Sequence, residues 1–279
     1  MRFIRGEEIY KLVKGLIEDA NFNLPLDIFN ALKKARELEE NINAKIVLDI
    51  LIENAMLAKD YRIPICQDCG MVVIFIEKGE EVCIEGPVEE YLNRAVKEVY
   101  EENYLRKSIV KDPIIRENTN DNTPPIIHWD IIPGDKLKIF VMIKGFGSEN
   151  ASTIKMLIPT IKKEDIINII LEHVWEYGPN ACPPLIIGIG IGGTMEKAVY
   201  LSKKAILRPL NSRNEKPHLR DLEEEILNRV NSLNIGPGGL GGRTTALDVH
   251  IESYPTHIAG LPLAINLQCC AVRFKGIEI

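Results

Sequence analysis

The chain has 279 residues, 46% of them hydrophobic, and a formal net charge of −6, enough apolar material for one large core or two smaller ones. The acidic balance and the lack of a basic cluster argue against nucleic acid and anionic membrane as partners. No apolar run reaches the roughly 18–20 residues that span a bilayer. The start, Met1-Arg2-Phe3-Ile4-Arg5-Gly6-Glu7-Glu8, turns acidic without a signal-peptide core, so the expected setting is cytoplasmic with reduced thiols.

The first 60 or so residues are expected to be helical. Asn43 is a candidate cap for a helix whose apolar face is Val47, Ile50, Leu51, Ala55 and Ala58. Pro64 ends that pattern, and Ile63-Pro64-Ile65-Cys66-Gln67-Asp68-Cys69-Gly70 follows as a loop. Met71-Val72-Val73-Ile74-Phe75-Ile76 is then a buried strand between Gly70 and Gly79. Leu92, Ala95, Val96, Val99 and Tyr100 repeat at helical spacing after Pro87. The polar stretch 117–125 is either a solvated loop or a functional one. Leu137, Ile139, Val141 and Ile143 alternate with lysines, as in a half-exposed strand, and lead into Lys144-Gly145-Phe146-Gly147-Ser148-Glu149-Asn150.

Ile166, Ile169, Ile170, His173 and Val174 form a further helix face, on which His173 is expected to be packed rather than a ligand. Cys182-Pro183-Pro184 precedes a short strand and the glycine run 188–193. Residues 221–233 are amphipathic, and the glycine-dense segment 236–242 is no core element. Leu247, Val249 and Ile251 alternate with Asp248, His250 and Glu252, which places His250 toward solvent. A last strand, 263–267, delivers Cys269 and Cys270. The whole is expected to be a mixed α/β (α+β) chain, one unit over 1–279, helical to about residue 60 and mixed from about 61.

Six cysteines in a reducing setting point to metal or catalysis before disulfides. Cys66-x-x-Cys69 alone suits half a zinc site or a redox dithiol. A structural zinc site normally brings a second close pair, whereas the other pair here is the adjacent Cys269-Cys270. Thiols at three separated turns suit an iron–sulfur cluster better, and one with three protein thiolates keeps an open, Lewis-acidic iron. Cys83, in a strand-like segment without glycine or proline punctuation, is expected to be a buried inert thiol. The chain's two glutamines, Gln67 and Gln268, both adjoin candidate ligand cysteines; their scarcity otherwise fits a heat-adapted source. Gly188-x-Gly190-x-x-Gly193 matches the dinucleotide fingerprint, yet no acid follows at about 20 residues. The preferred role is that its amides and the following helix N-terminus hold the Cys182 loop or an anion near it.

The motifs Pro64-Ile65-Cys66-Gln67-Asp68-x-Gly70, Asn122-Thr123-Pro124, Lys144-Gly145-x-Gly147-Ser148-Glu149-Asn150, Cys182-Pro183-Pro184, Gly188-x-Gly190-x-Gly192-Gly193-Thr194 and His257-x-Ala259-Gly260-Leu261-Pro262 together resemble the class I, iron–sulfur fumarate hydratases and the related L-tartrate dehydratases, α-subunit part. The resemblance implies a [4Fe–4S] cluster on Cys66, Cys182 and Cys269 with one iron not bound by cysteine. Cys69 stands where such proteins commonly have threonine and position 270 is usually not cysteine there, so neither is an implied ligand. It implies a dicarboxylate site lined by Gln67, Asp68, Arg106, Gly147 and His257. Asp68 would handle the hydroxyl proton of malate, and Arg106 would make a bidentate carboxylate contact. The implied reaction is reversible hydration of fumarate, with tartrate or another 2-hydroxy-dicarboxylate as the alternative. The implied partner is a β subunit, in an α2β2-type heteromer, that carries the C3 base. A scaffold whose cysteines bind zinc or a cluster for structure alone is the rival from another class.

Overall fold

The computed structural model describes residues 1–279, a mixed α/β chain that separates into two compact units. The first comprises Met1–Pro25, Ala55–Phe146 and Arg273–Ile279; the second comprises Leu26–Asn54 and Gly147–Val272.

In the first unit a four-stranded sheet has the order β10 (Phe274–Glu278), β5 (Leu137–Lys144), β2 (Met71–Gly79), β4 (Ile126–Ile132). Strand β2 runs antiparallel to β5 and parallel to β4, so the continuous apolar run 71–76 has partners on both edges and a buried face on each side. Helices α1 (Gly6–Phe22) and α4 (Val88–Glu102) cover one face. Ile9, Val13 and Ile17 meet Leu92, Ala95, Val96, Val99 and Tyr100 over Val72, Ile74, Ile139 and Val141. The α4 periodicity expected from sequence is thus the observed core face. Strands β1 (Arg2–Arg5) and β3 (Val82–Glu85) form a small parallel pair, so the first 60 residues are not wholly helical. Cys83, on β3, is half-buried rather than buried, because that pair leaves one side of it uncovered.

In the second unit the order is β6 (Thr153–Leu157), β9 (Leu261–Gln268), β7 (Leu185–Gly192), β8 (Ala246–Tyr254). Helices α6 (Lys163–Tyr177) and α8 (Pro217–Asn231) pack on Ile187, Ile189, Leu263 and Ile265. Helix α7 (Met195–Ala205) covers the opposite face. There, a Cβ on Gly188 would fall 2.0 Å from the Ser202 carbonyl oxygen, and one on Gly190 would fall 1.9 Å from that of Ala198. These two glycines of the fingerprint-like run therefore seat a helix against a strand. That packing, not a cradle for the Cys182 loop or an anion, is their visible role.

The second cover also overturns the placement of His250. Both Asp248 and His250 are fully buried, because α7 lies over the face that the alternation assigned to water. His250 Nδ1 sits 3.1 Å from the Ala205 carbonyl oxygen. Helix α2 (Leu26–Leu38) also belongs to this unit, where Asp27 accepts the Leu210 N–H. The third helix, α3 (Ile42–Tyr61), is capped by Asn41, not Asn43: the Asn41 side-chain oxygen accepts the Asn43 N–H at 2.9 Å. Its buried positions are Ala44, Leu48, Ala55 and Ala58; of the expected face, Ala55 and Ala58 are buried and Val47 and Leu51 half-buried, while Ile50 faces out.

Candidate active site

The turn after Pro64 places three chemically distinct side chains in succession. Cys66 is half-buried, Gln67 exposed and Asp68 half-buried. Asp68 is held by both carboxylate oxygens: Oδ1 accepts the Gly70 N–H at 2.9 Å and Oδ2 the Phe146 N–H at 2.7 Å. Gly70 has φ +65°, and a Cβ there would stand 2.6 Å from the Lys144 carbonyl oxygen, so only glycine lets the turn return this close to β5.

Cys69 is buried. Burial pushes its thiol upward in pKa, against the Arg106 backbone N–H and the Arg273 charge. That N–H donates to Cys69 Sγ at 3.2 Å, which fixes the backbone of Arg106 beside the turn while its side chain stays exposed. The Tyr100 hydroxyl donates to the Cys69 carbonyl, and burial pushes that phenol up. Asn122, fully buried in the polar stretch 117–125, donates to the Gly70 carbonyl at 3.1 Å and accepts the Ser108 N–H at 2.7 Å. One residue of that stretch therefore braces both the cysteine turn and the Arg106 segment, while most of the stretch around it stays exposed or half-buried. Its signal in sequence was an Asn immediately before Thr-Pro.

The second unit carries the other predicted residues. Cys182 is exposed, in the left-handed region at φ 56° and ψ 67°, after a short 3-10 turn. Its carbonyl accepts the Cys270 N–H at 3.1 Å, and the next carbonyl, of Pro183, accepts the Gly238 N–H at 2.8 Å. Cys182 and the Cys269-Cys270 pair are thus brought together through their backbones, and the glycine-dense segment braces the first of them. Within the pair, the Cys269 thiol is half-buried and the Cys270 thiol buried. Gly147 is exposed, and a Cβ there would meet nothing nearer than the Asn180 carbonyl oxygen at 3.9 Å. Packing within this unit therefore does not demand glycine at 147, in contrast to Gly188 and Gly190. His257 is exposed, and its Nδ1 accepts the Ala259 N–H at 3.2 Å. In the neutral ring this leaves the proton on Nε2, which is then a donor. His173, as expected, is packed: it is buried at 2.7 Å from the Ala151 carbonyl oxygen, and burial lowers its pKa.

Over this whole set, the chain's similarity to known proteins is extensive. The fumarate hydratase (fumerase) family model matches residues 10–278. The chain belongs to that family.

Within it, similar proteins are α subunits. The putative L(+)-tartrate dehydratase subunit alpha of Methanocaldococcus jannaschii is 39% identical over 273 residues, covering 95% of each chain. The L(+)-tartrate dehydratase subunit alpha of Escherichia coli K12 is 34% identical over 271 residues, 95% of this chain and 89% of the other. Membership makes the chain a hydro-lyase component.

The residues present suit a thiolate-bound group. None of the six cysteines is tied up in a disulfide. Both glutamines are set against candidate thiols: Cys66 Sγ lies 3.4 Å from Gln67 Oε1, and Gln268 Nε2 lies 3.6 Å from Cys269 Sγ. At Cys269 the carboxamide N–H stabilises the sulfur as a thiolate and tunes a bound metal, whereas at Cys66 the thiol donates to the carboxamide oxygen. Gln268 is buried with Oε1 lacking a partner, an expense that packing alone does not explain. No three His, Cys, Asp or Glu side chains close on one point as a single metal ion requires. An iron–sulfur cluster is a larger body whose thiolates need not meet at one point.

Proposed function

We propose that this chain is the α subunit of a heteromeric [4Fe–4S] hydro-lyase that reversibly hydrates fumarate to (S)-malate. The observation that carries the proposal is the Cys66–Asp68 turn, where a free thiol, an exposed amide and a carboxylate fixed by two backbone N–H groups stand in succession. Cys66, Cys182 and Cys269 would hold the cluster. When bound, it supplies an open Lewis-acidic iron that weakens the C–O bond of the substrate.

The chain's own residues do the rest. Arg106, with its backbone anchored on Cys69 and its side chain exposed, binds one substrate carboxylate by two parallel N–H bonds. His257, donating from Nε2, and the exposed Gly147 backbone serve the other. Gln67 orients the substrate beside Cys66. Asp68, unable to rotate, takes a proton from the attacking water on hydration and returns it to the departing hydroxyl on dehydration, in one fixed direction. The base for the C3 proton is assigned to a β subunit, in keeping with the name "subunit alpha" of the relatives.

Anaerobic reconstitution followed by mild oxidation tests this reading. An EPR signal of a [3Fe–4S] cluster, lost in Cys269→Ser and kept in Cys270→Ser, is expected. Bound zinc with no EPR signal would mean the cysteines are structural. The purified α chain alone should turn over negligibly, and full hydratase activity without a partner refutes the division of labour. L-tartrate is the competing substrate, favoured by the names of the relatives. Turnover of fumarate, malate, mesaconate and tartrate by the reconstituted pair decides between them. A cytoplasmic setting completes the proposal, in keeping with the absence of any helix long and apolar enough to cross a membrane.

A further inference from the structure

Arg273 is the largest fully buried side chain of the molecule, 1% exposed. Its guanidinium is permanently charged and carries five N–H donors. Nη1 donates to the Asp68 carbonyl oxygen at 2.7 Å. Nε and Nη2 are buried with no partner. The backbone of Arg273 is pinned as well, since its carbonyl accepts the Ile143 N–H of β5 at 2.8 Å. A fully buried cation with unused donors is expensive, and packing alone would favour an apolar side chain here. Such a residue persists where it does something that methionine or leucine does not.

Its surroundings indicate what. Asp68 is gripped at three points: Arg273 on its backbone carbonyl, the Gly70 N–H on Oδ1, and the Phe146 N–H on Oδ2. Gly145 leaves the room this requires. A Cβ there would stand 3.1 Å from Arg273 Nη2 and 3.3 Å from Asp68 Oδ2, so the guanidinium and the carboxylate flank the same bare Cα.

We propose that Arg273 is a positioning residue for the hydration reaction, clamping the Asp68 turn from its buried side so that Asp68, Gln67 and Cys66 are presented in one orientation. The proposal rests on the assignment of Asp68 to the substrate's hydroxyl proton. Arg273 touches neither substrate nor reacting atoms; it acts through the Asp68 backbone.

The test uses the full α chain assembled with its partner, as Arg273→Met and Arg273→Lys. In Arg273→Met, kcat is expected to fall about ten- to a hundredfold, the usual cost of losing a residue that orients a site. KM should stay within about twofold, since no substrate contact is removed. Iron and sulfide content and the melting temperature should match the parent. Hydrogen exchange of the Gly70 and Phe146 amides should accelerate, because their acceptor is no longer held. Arg273→Lys, which keeps the charge and one donor, should recover part of both effects. Gly145→Ala, which crowds the clamp without removing it, should fall between.

Unchanged kcat in Arg273→Met with unchanged exchange overturns the proposal. So does a loss of activity that merely tracks lost iron or lost folded protein. If the parent pair hydrates no dicarboxylate, the assigned reaction fails by itself, and exchange at Gly70 and Phe146 still decides whether Arg273 holds the turn.

Discussion

Two buried charges, one in each unit, are treated very differently. Asp248 is saturated. Oδ1 accepts from Arg213 at 2.7 Å and from the Val249 N–H at 2.9 Å, while Oδ2 accepts the Asn211 N–H at 2.6 Å and lies 3.1 Å from His250 Nε2. Arg273 has one bond, to a backbone carbonyl, and two nitrogens without partners. A buried ion with every lone pair used is part of the architecture, and removing it strands its partners. A buried ion short of partners adds little or nothing to stability, so its reason for being there lies in what it orients. The contrast separates structural from functional burial in a chain where both kinds of residue look alike in sequence.

The largest effect should come from breaking the saturated cluster. Asp248→Ala leaves Arg213 and His250 without their shared carboxylate and should cost about 3–5 kcal/mol, the range for removing one partner of a buried pair. Denaturant midpoints checked against an unchanged m-value measure it, and the protein that remains folded should keep its kcat. Next comes Gly190→Ala, whose Cβ would press on the Ala198 carbonyl and force α7 off β7, at about 1–3 kcal/mol. Calorimetry on that variant and on Gly147→Ala should separate the two glycines. The Gly147→Ala variant should melt with the parent yet bind substrate less well, because only Gly190 is demanded by packing.

The pH dependence gives a third, smaller test. Burial alone would raise the Asp248 carboxyl, but His250, the Asn211 amide and Arg213 more than offset it, so the group is held below the usual carboxylate range. A depressed folded-state pKa gives stability that is present above the unfolded value and lost as pH falls through the folded one. The acid limb of the stability–pH curve should therefore flatten in Asp248→Asn; an unchanged limb would show that other carboxylates dominate. Smallest of all should be the stability effect of Arg273→Met, within about 1 kcal/mol of the parent in either direction, since the desolvation cost of the guanidinium disappears with its one bond. A drop as large as that of Asp248→Ala would erase the distinction between the two charges.

What the sequence determined by itself is local and chemical. The period of Leu92, Ala95, Val96, Val99 and Tyr100 marked the buried face of α4, and the unbroken run 71–76 marked a central strand, because side-chain period and burial are tied within one element. The cysteine turn was legible as well, since a thiol, an amide and a carboxylate in succession are specified by neighbouring residues. The tertiary structure decided everything that depends on a second surface. The alternation around His250 assumes one wet face, and α7 removes it. Ile50 looked like core because it is apolar, whereas the buried line of α3 runs through Ala44, Leu48, Ala55 and Ala58. Arg273 carried only a faint signal, a lone arginine between Val272 and Phe274 shortly after the last cysteines, and Asn122 stood out in the Asn122-Thr123-Pro124 motif without showing what it braces. Their roles come from partners 205 and 52 residues away in sequence, Asp68 and Gly70, and no periodicity records a contact of that kind.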